Sequence, residues 1–327
     1  MEDHVAQLTC YIPSDLEESV PRTGSHFSSL ETLVARGDAK HSPYCGDAQF
    51  LALFGGEPAR GTARAAVSHH AQYGSAEHEQ WRIIASPGHL VADHATLHFP
   101  PQHHALLNDE ESRALMDSCQ AHFAEEGWQL DYGDANTWYL CVNGSHSITT
   151  TPIVDAIGKP LFDVLPQGSD ARTWRRWINE AQMLFHTHAV NEAQQRRGAP
   201  PINTLWFWGE GCLPSVTQGR FSRVFGGDRY AQGLAQLSGA QWAPLPNGIT
   251  AMSLSGQQGA ILIVLDEAST TSWDSAWFGP LIDRLRDKSV SNMTLHFRNG
   301  YSTQLKPSML WRFWRRRHFS LTMESAS

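Results

Sequence analysis

The feature that most constrains the fold is a strand–helix–strand rhythm in the last part of the chain. Residues 261–265 read ILIVL, an aliphatic run typical of a strand buried on both faces of a parallel sheet. A helix pattern over 277–287 follows, and residues 293–297 form the next strand candidate. Parallel strands joined by a helix require a right-handed crossover, so this region predicts a parallel α/β sheet. Near the start, residues 5–12 predict another buried strand, which ends at Pro13.

The middle of the chain has a different pattern. Asn108 is a good helix N-cap, and acidic residues followed by an amphipathic run to Phe123 predict a helix. Short alternating segments surround it, as expected for antiparallel strands. These segments are 83–85, 89–91, 95–99, 128–132, 138–142 and 147–150. Residues 81–165 therefore predict a compact α+β unit, and a second amphipathic helix begins near Asp170.

Length and composition limit the function classes. A chain of 327 residues predicts two domains, or one α/β domain with an insertion. The net charge of −8 argues against a general nucleic-acid binder, which needs cationic contacts to phosphates. The five cysteines are scattered and odd in number, which disfavours a disulfide framework or a zinc knuckle. With no secretory signal and no apolar run near the ~20 residues of a membrane helix, we expect a cytoplasmic protein.

Residues 186–211 read HTHAVNEAQQRRGAPPINTLWFWGEG and combine many directional polar groups with bulky aromatics. Buried amides and guanidinium groups must be hydrogen-bonded, or each costs roughly 1–3 kcal/mol. The segment is therefore either satisfied from within or built around a polar ligand. Its end, NTLWFWG, predicts a parallel strand buried on both faces, with Trp206 and Trp208 packing in the core.

The same segment resembles a known signature. HAVN, RRG and INTLWFWGEG are similar, in this order, to the signature of the archaeal-type cofactor-independent phosphoglycerate mutases. The resemblance is closer to the proteobacterial RpfE-type regulatory proteins, a branch related to those mutases. PGHLVADHATL, DEESRALMDSCQAHFAEEGW, LPQGSDARTWRRWINEAQMLFHTHAVN and the terminal RFWRRR also resemble that branch, over residues 81–320.

The resemblance implies a fold. It predicts an alkaline-phosphatase-like α/β core with a parallel sheet and an inserted, smaller α+β domain. The core would comprise residues 1–80 and 166–320, the insertion residues 81–165, and residues 321–327 a disordered tail.

The mutases use two divalent metals, such as Mn or Mg, held by Asp and His ligands, which activate a Ser or Thr and neutralise phosphate charge. Their first ligand lies in an Asp-Gly-x-Gly-Asp turn, where this chain has Pro13 and Ser14 before Asp15. A late Thr-Gly-Asp-His-Ser-Thr motif is replaced by RNGYST, so Asn299, Gly300 and Tyr301 stand where an Asp-His pair is expected. After ILIVL the chain has Asp266 but no Asp-x-x-Gly-His.

These departures predict that the two-metal centre is lost, with no catalytic residue, no metal and no cofactor. The alternative is an active, metal-dependent mutase that interconverts 2- and 3-phosphoglycerate with the substitutes Asp15, Asp266 and His296.

A polar ligand site is predicted in the central segment. We expect His188, Asn191, Arg196, Arg197 and Asn203 to bind a phosphorylated or carboxylate small molecule, because Arg grips such anions bidentately. The alternative is that these residues cap helix ends and tie down a crossover loop. Two further departures from the mutases are Gln194 in place of an Arg, and Trp138–Tyr139 in place of a Tyr-Arg pair.

Two other clusters are predicted to be structural. The group His89, His94, His98, His103 and His104 fits no helix face, so its spacing does not enforce a zinc site. In residues 311–318, WRFWRRRH, we expect the tryptophans to pack on the core while the arginines face solvent. Contact of this run with nucleic acid or an acidic partner is the alternative.

The sequence thus predicts a mutase-like protein with a regulatory or metabolite-sensing role. We expect an unknown protein partner, no nucleic acid and no membrane. A protein-interaction module without a small ligand is the remaining alternative.

Overall fold

The computed structural model describes residues 6–13, 28–74, 79–93, 96–101, 107–144, 146–252, 259–265 and 272–315. The chain forms two compact units, residues 1–58 with 215–327, and residues 59–214.

The secondary structure elements are named in chain order. The strands are β1 (Ala6–Ile12), β2 (Asp38–His41), β3 (Arg82–Gly88), β4 (Val91–Asp93), β5 (Thr96–His98), β6 (Gln129–Asp134), β7 (Thr137–Cys141), β8 (Thr204–Gly211), β9 (Arg223–Gly226), β10 (Gln241–Ala243), β11 (Ala260–Val264), β12 (Val290–Phe297) and β13 (Tyr301–Leu305). The α-helices are α1 (Ser28–Arg36), α2 (Gly46–Leu53), α3 (Arg64–Tyr73), α4 (Asp109–His122), α5 (Ile153–Ala156), α6 (Leu161–Val164), α7 (Ala171–His186), α8 (Ala189–Arg196), α9 (Arg229–Leu237) and α10 (Gly279–Arg286).

The first unit is built on a mostly parallel sheet. Within the described residues it has the order β10-β9-β11-β1-β12-β13-β2. The strands from β10 to β12 in this order pair in parallel, whereas β13 pairs antiparallel with both β12 and β2. The predicted fold class is confirmed: the strands at 261–265 and 293–297 flank β1 in a parallel α/β sheet.

Both faces of this sheet are covered by helices. On one face, Leu8 and Cys10 of β1 belong to a core that includes Leu33 of α1 and Leu281 of α10. On the other face, the Tyr11 ring lies 4.8 Å from the ring of Phe50 in α2. A strand with helices on both faces has no solvent-facing side, which explains why Leu8, Cys10, Tyr11 and Ile12 of β1 are all buried and why the run at β11 is continuously apolar.

The second unit is an α+β unit. Within the described part of the chain it has a four-stranded antiparallel sheet in the order β6-β7-β3-β8 and a separate β4–β5 hairpin. Helix α4 begins where predicted: Asn108 accepts a hydrogen bond from the Glu111 amide, and the Glu111 carboxylate accepts one from the Asn108 amide. The predicted strand over 147–150 is wrong, since that segment makes one isolated bridge, Thr149 to Gln167.

Strand β8 is the main correction to the predicted topology. It lies in the second unit and pairs antiparallel with β3, not in a parallel sheet. Its residues are nevertheless apolar on both faces because helices cover both. Phe207 packs against Trp174 of α7, with ring centroids 5.0 Å apart, and Trp208 packs on the other face with Ala65 of α3. A strand covered on both faces looks the same in sequence whichever way its neighbour runs.

The second unit is therefore larger than the predicted insertion. It includes α3 before residue 81, and α7, α8 and β8 after residue 165, because these elements pack on or pair with its sheet. The division falls at residues 58/59 and 214/215 and not at the predicted 80/81 and 165/166. The predicted tail, 321–327, lies outside the described residues.

No helix in the described ranges is long and apolar enough to cross a bilayer. None of the five cysteines, all of which lie in the described ranges, forms a disulfide.

Candidate functional site

The central segment connects α7 to β8 in the second unit, and His188 is its first polar anchor. Its Nδ1 accepts a hydrogen bond from the Val190 amide at 3.2 Å, which makes His188 the N-cap of α8. Its Nε2 lies 2.9 Å from Ser118 Oγ, and that hydroxyl donates to the Ala114 carbonyl. Because the hydroxyl proton is used, Nε2 must carry the proton that His188 shares with Ser118. Burial lowers the pKa of His188, so the neutral ring is favoured.

Asn191 ties two parts of the segment together. Its side-chain nitrogen donates to the carbonyls of Phe185 and Ile202, both at 2.7 Å, and its oxygen accepts from the Ile202 amide at 2.7 Å. The residue is 8% exposed. Both amide hydrogens and the oxygen of Asn191 are bonded to the backbone. The side chain therefore joins the end of α7 to the segment just before β8.

Asn203 attaches the segment to the end of β3. Its oxygen accepts from the Leu90 amide at 2.7 Å, and its nitrogen donates to the Leu90 carbonyl at 2.8 Å. This reproduces the pairing of one strand residue with another. The His89 ring adds a bond through Nδ1 to the Pro201 carbonyl at 2.7 Å.

Arg197 points its guanidinium at α4. Its two terminal nitrogens donate to the two carboxylate oxygens of Glu111 at 2.6 and 2.9 Å. The hydrogen bond with Arg197 is the main reason that the pKa of Glu111 is lowered, and the same bond raises the pKa of Arg197. Arg196 is exposed, and its Nε donates to the Glu192 carbonyl of its own helix at 3.2 Å. The pair of arginines therefore ends α8 on a surface that contains one bidentate ion pair.

The five residues predicted to bind a ligand are thus placed as follows. His188 and Arg197 reach two residues of α4, Asn191 and Asn203 bond to backbone, and Arg196 stays at the surface. Each has a partner within its own unit.

Sequence reasoning missed a His–Asp pair in the same unit. His69 Nε2 of α3 lies 3.0 Å from Asp131 Oδ2 of β6, and the ring packs edge-on against Tyr139. The hydrogen bond from His69 lowers the pKa of Asp131, with a further contribution from the charge of buried Arg82. The two partners are 62 residues apart in sequence, so no short-range spacing in the sequence predicts this pair.

The positions expected to hold metal lie in the first unit. The turn after β12 is closed by Asn299, whose Oδ1 accepts from the Tyr301 amide at 3.1 Å, and by the Gly300 amide, which donates to Phe297 at 3.0 Å. The segment before α2 covers this turn: the Gly46 amide donates to the Arg298 carbonyl at 2.7 Å. Asn299, Gly300 and Tyr301 of this turn thus bring no carboxylate and no imidazole to the positions where the resemblance expects an Asp-His pair.

His296 is the one substitute ligand that the structure describes; Asp15 and Asp266 lie outside the described residues. Burial lowers the pKa of His296 to about 4, with a contribution from the charge of Arg220. Earlier in the chain, the Asp274 carboxylate accepts hydrogen bonds from the backbone amides of Ser29 and Leu30 and so caps the N-terminus of α1. In the described ranges no three His, Cys, Asp or Glu side chains come together as a metal site.

The remaining histidine and basic clusters also have defined places. Of the histidine group, His98 lies in β5 opposite Val91, and His94, His103 and His104 lie outside the described residues. The C-terminal run is inverted relative to its prediction. Trp311 and Trp314 face solvent, whereas Arg312 is bound to Asp38.

Comparison with known proteins places these features in context. No protein-family profile matches the chain. It is 38% identical over 76 residues to the 2,3-bisphosphoglycerate-independent phosphoglycerate mutase of Methanothrix thermoacetophila, covering 23% of this chain and 19% of the relative. The same enzyme of Methanosarcina mazei is 23% identical over 147 residues, covering 44% and 34%. The matched segments therefore span about a third or less of these relatives.

Solved structures extend the likeness over nearly the whole chain. A Pyrococcus horikoshii protein aligns with a TM-score of 0.50 and 12% identity, covering 92% of this chain and 86% of the other. A cofactor-independent phosphoglycerate mutase of Thermoplasma acidophilum aligns with a TM-score of 0.45 and 16% identity, covering 92% and 89%. The chain is related in sequence to cofactor-independent phosphoglycerate mutases, and it shares the fold of the Pyrococcus horikoshii protein, with a mostly parallel α/β core and an inserted α+β unit.

Proposed function

We propose that this chain is a regulatory or metabolite-sensing relative of the cofactor-independent phosphoglycerate mutases, of the RpfE type, that no longer uses two-metal chemistry. The turn after β12 carries the proposal. In open α/β sheets, ligands bind at the carboxyl ends of the strands. At this end of β12, Asn299 is engaged by the Tyr301 amide, and the Gly300 carbonyl accepts from the Ser42 amide at 2.9 Å.

The chemistry of that turn argues against phosphoryl transfer. Two-metal catalysis needs anionic ligands to hold cations that neutralise the transferring phosphate. Asn299, Gly300 and Tyr301 supply no carboxylate, and the Asn299 oxygen already accepts a backbone hydrogen bond. Restoring a carboxylate alone would not rebuild the site, because the turn also bonds to the segment before α2.

A sensing role is supported by the pairing of Arg197 with Glu111. A guanidinium that holds one carboxylate bidentately can hold a phosphate or a ligand carboxylate in the same way. Such a ligand would compete with Glu111, which also accepts from the Asn108 amide at the start of α4. Ligand binding would thereby loosen one half of a capping box. This gives the second unit a means to report an anion.

The first experiment is a mutase assay. Purified full-length protein is incubated with 3-phosphoglycerate and added manganese or magnesium, and 2-phosphoglycerate is measured. We expect no turnover above the protein-free control. Turnover that Asp266→Ala abolishes would show an active mutase with a substitute metal ligand and would overturn the loss of catalysis.

The second experiment tests sensing by thermal unfolding with 3-phosphoglycerate as the probe. We expect the probe to raise the melting temperature of the wild type and of Arg176→Ala, but not of Arg197→Ala. Arg176 is a matched control because it also forms an exposed ion pair, with Glu126 at 2.8 Å in the same unit. If the wild type does not shift with this probe or with inorganic phosphate, the protein is an interaction module and not a sensor of phosphorylated acids.

A further inference from the structure

The C-terminal end of the described chain is a tight turn that presents aromatic rings to solvent. A 3₁₀ helix, Pro307–Trp311, is followed by further turns up to Arg315. We call residues 311–315 the aromatic turn. Trp311 is 77% exposed, Phe313 68% and Trp314 67%.

The aromatic turn is held in place by its arginines. Arg312 donates to Asp38 Oδ1 at 2.6 Å and to the Arg36 carbonyl at 3.3 Å. Arg315 donates to the Gly37 carbonyl at 3.2 Å, and Arg36 donates back to the Leu310 carbonyl at 2.7 Å. The hydrogen bond with Arg312 is the main reason that the pKa of Asp38 is lowered. The rings are therefore exposed on an anchored turn and not on a loose end.

The exposed aromatic surface is large for a single turn. Three aromatic side chains of this exposure present roughly 400 Å², which is the size of the largest apolar patch on an ordinary monomer. Patches of that size on soluble proteins are commonly binding surfaces.

The part of the sequence that contains the turn is basic although the protein is acidic. From Lys288 to Met323 the chain has seven Lys or Arg residues and no Asp or Glu, in a protein of net charge −8. Asp38 is the acid that contacts the turn, and it faces two arginines. A basic segment that carries exposed aromatic rings favours an anionic partner with an apolar interior.

We propose that the aromatic turn binds an anionic lipid surface. Trp311, Phe313 and Trp314 enter the interface between headgroups and acyl chains, where amphipathic aromatic rings are favoured. Arg315, whose side chain is 45% exposed, supplies a cation for a lipid phosphate at headgroup level. The sequence predicts no membrane partner because it lacks a long apolar run; peripheral binding does not need one.

The backbone of the turn suits a lipid interface. The amides of Met309, Arg312, Phe313 and Arg315 donate to carbonyls within the turn, at 2.8–3.1 Å. Peptide groups that are already paired cost less to remove from water, so these four amides do not oppose the entry of the neighbouring rings into a lipid surface.

The same geometry disfavours two other occupants. Successive bases of single-stranded nucleic acid stack on aromatic faces, but the rings of Phe313 and Trp314 are at 79° to each other, 5.3 Å apart. The edge of one ring thus covers the face of the other. A second copy of the chain on a twofold axis would place the same arginine-rich turns against each other, which like charge opposes.

The test is vesicle flotation with the full chain. Phosphatidylcholine vesicles are compared with vesicles that contain about 30% phosphatidylglycerol, at low salt and at roughly 0.5 M salt. We expect binding to the anionic vesicles that falls with salt. The combined substitution Trp311→Ala, Phe313→Ala and Trp314→Ala should reduce partitioning at least about tenfold. Because these side chains are exposed, the variant should keep the wild-type melting temperature.

The matched control is Phe162→Ala with Met183→Ala, two apolar side chains that are 78% and 75% exposed in the second unit. This control should float like the wild type. The proposal is overturned if the wild type does not float with anionic vesicles, or if the triple variant floats equally well. Tighter binding to a single-stranded RNA oligomer than to vesicles, lost in the triple variant, would assign the turn to nucleic acid. The outcome does not depend on mutase activity or on sensing.

Discussion

Arg197 holds Glu111 with both terminal nitrogens, at 2.6 and 2.9 Å, and Glu111 uses the same carboxylate to close the capping box of α4. One carboxylate therefore links the end of α8 to the start of α4. The two residues are 86 positions apart in sequence. Their ion pair determines the contact that Arg197, in the segment 186–211, makes in the folded chain. An arginine that the sequence assigns to a ligand is, without that ligand, part of the contact between two helices.

The first prediction concerns the pH dependence of this pair. The pKa of Glu111 is lowered from its usual value of 4.5, so its contribution to stability is fully present above pH 4.5. That contribution is lost as the pH falls through the lower, folded-state pKa. Glu111→Gln removes the charge, so its unfolding free energy should change less than that of the wild type below pH 4.5. Urea titrations at a series of pH values measure this difference.

The matched control for Glu111 is Glu126→Gln, which removes the partner of Arg176 at 2.8 Å. Glu126 caps no helix through a box of this kind, and its pair is more exposed. An equal loss of pH dependence in both variants would contradict a special role for Glu111.

The second prediction concerns Asn191. Replacing it by Ala leaves the Ile202 amide and two carbonyls without their partner in a buried place, which should cost about 3 kcal/mol of unfolding free energy. Asn191→Asp should be at least as damaging, because a carboxylate would face two carbonyl oxygens. Gln195→Ala on the exposed side of α8 is the control and should be nearly neutral. Chemical denaturation decides, and a loss for Asn191→Ala as small as the control's would mean that the tie is not used.

The third prediction concerns His188 as a pH-sensitive helix cap. Its pKa is lowered below 6.5 in the folded protein, so the folded state favours the neutral ring. The stability it contributes is complete above pH 6.5 and falls as the pH drops towards the folded-state pKa, because the unfolded chain binds the proton first. Protonation of Nδ1 would also remove the acceptor for the Val190 amide.

His188→Asn keeps a good N-cap without a titrating group. Between pH 7.5 and 5, the wild type should therefore lose more stability than His188→Asn when both are measured by thermal unfolding. Parallel pH profiles for the two proteins would rule out His188 as the titrating cap.

The sequence predicts the parallel sheet well and the partners of polar groups poorly, for a physical reason. The run at β11 is apolar because the strand is buried on both faces, and such burial can be recognised from the residues of the strand alone. Burial does not show whether the neighbouring strand runs parallel or antiparallel. For this reason the sequence predicts the wrong sheet for β8, which pairs antiparallel with β3. The sequence does not predict the exposure of Trp311, because the adjacent Arg312 binds Asp38, a residue that is far away in sequence. Hydrogen bonds and ion pairs between residues that are far apart in sequence leave no periodic pattern in the sequence.

The last prediction tests the turn that carries the proposed loss of catalysis. Gly300 has φ +89°, and a Cβ there would lie 3.0 Å from the Tyr44 carbonyl oxygen and 3.1 Å from that of Ser42. Gly300→Ala should therefore cost at least about 2 kcal/mol, from left-handed strain and from the clash with backbone that cannot move aside. Gly219→Ala is the matched control, since Gly219 has φ +69° in the same unit and nothing within 4 Å of the added atom. It should show the strain alone, about 1 kcal/mol. Denaturant titration of both variants measures the difference, and equal costs would mean that the turn is not closed against the segment before α2, which would reopen the carboxyl end of β12 as a ligand site.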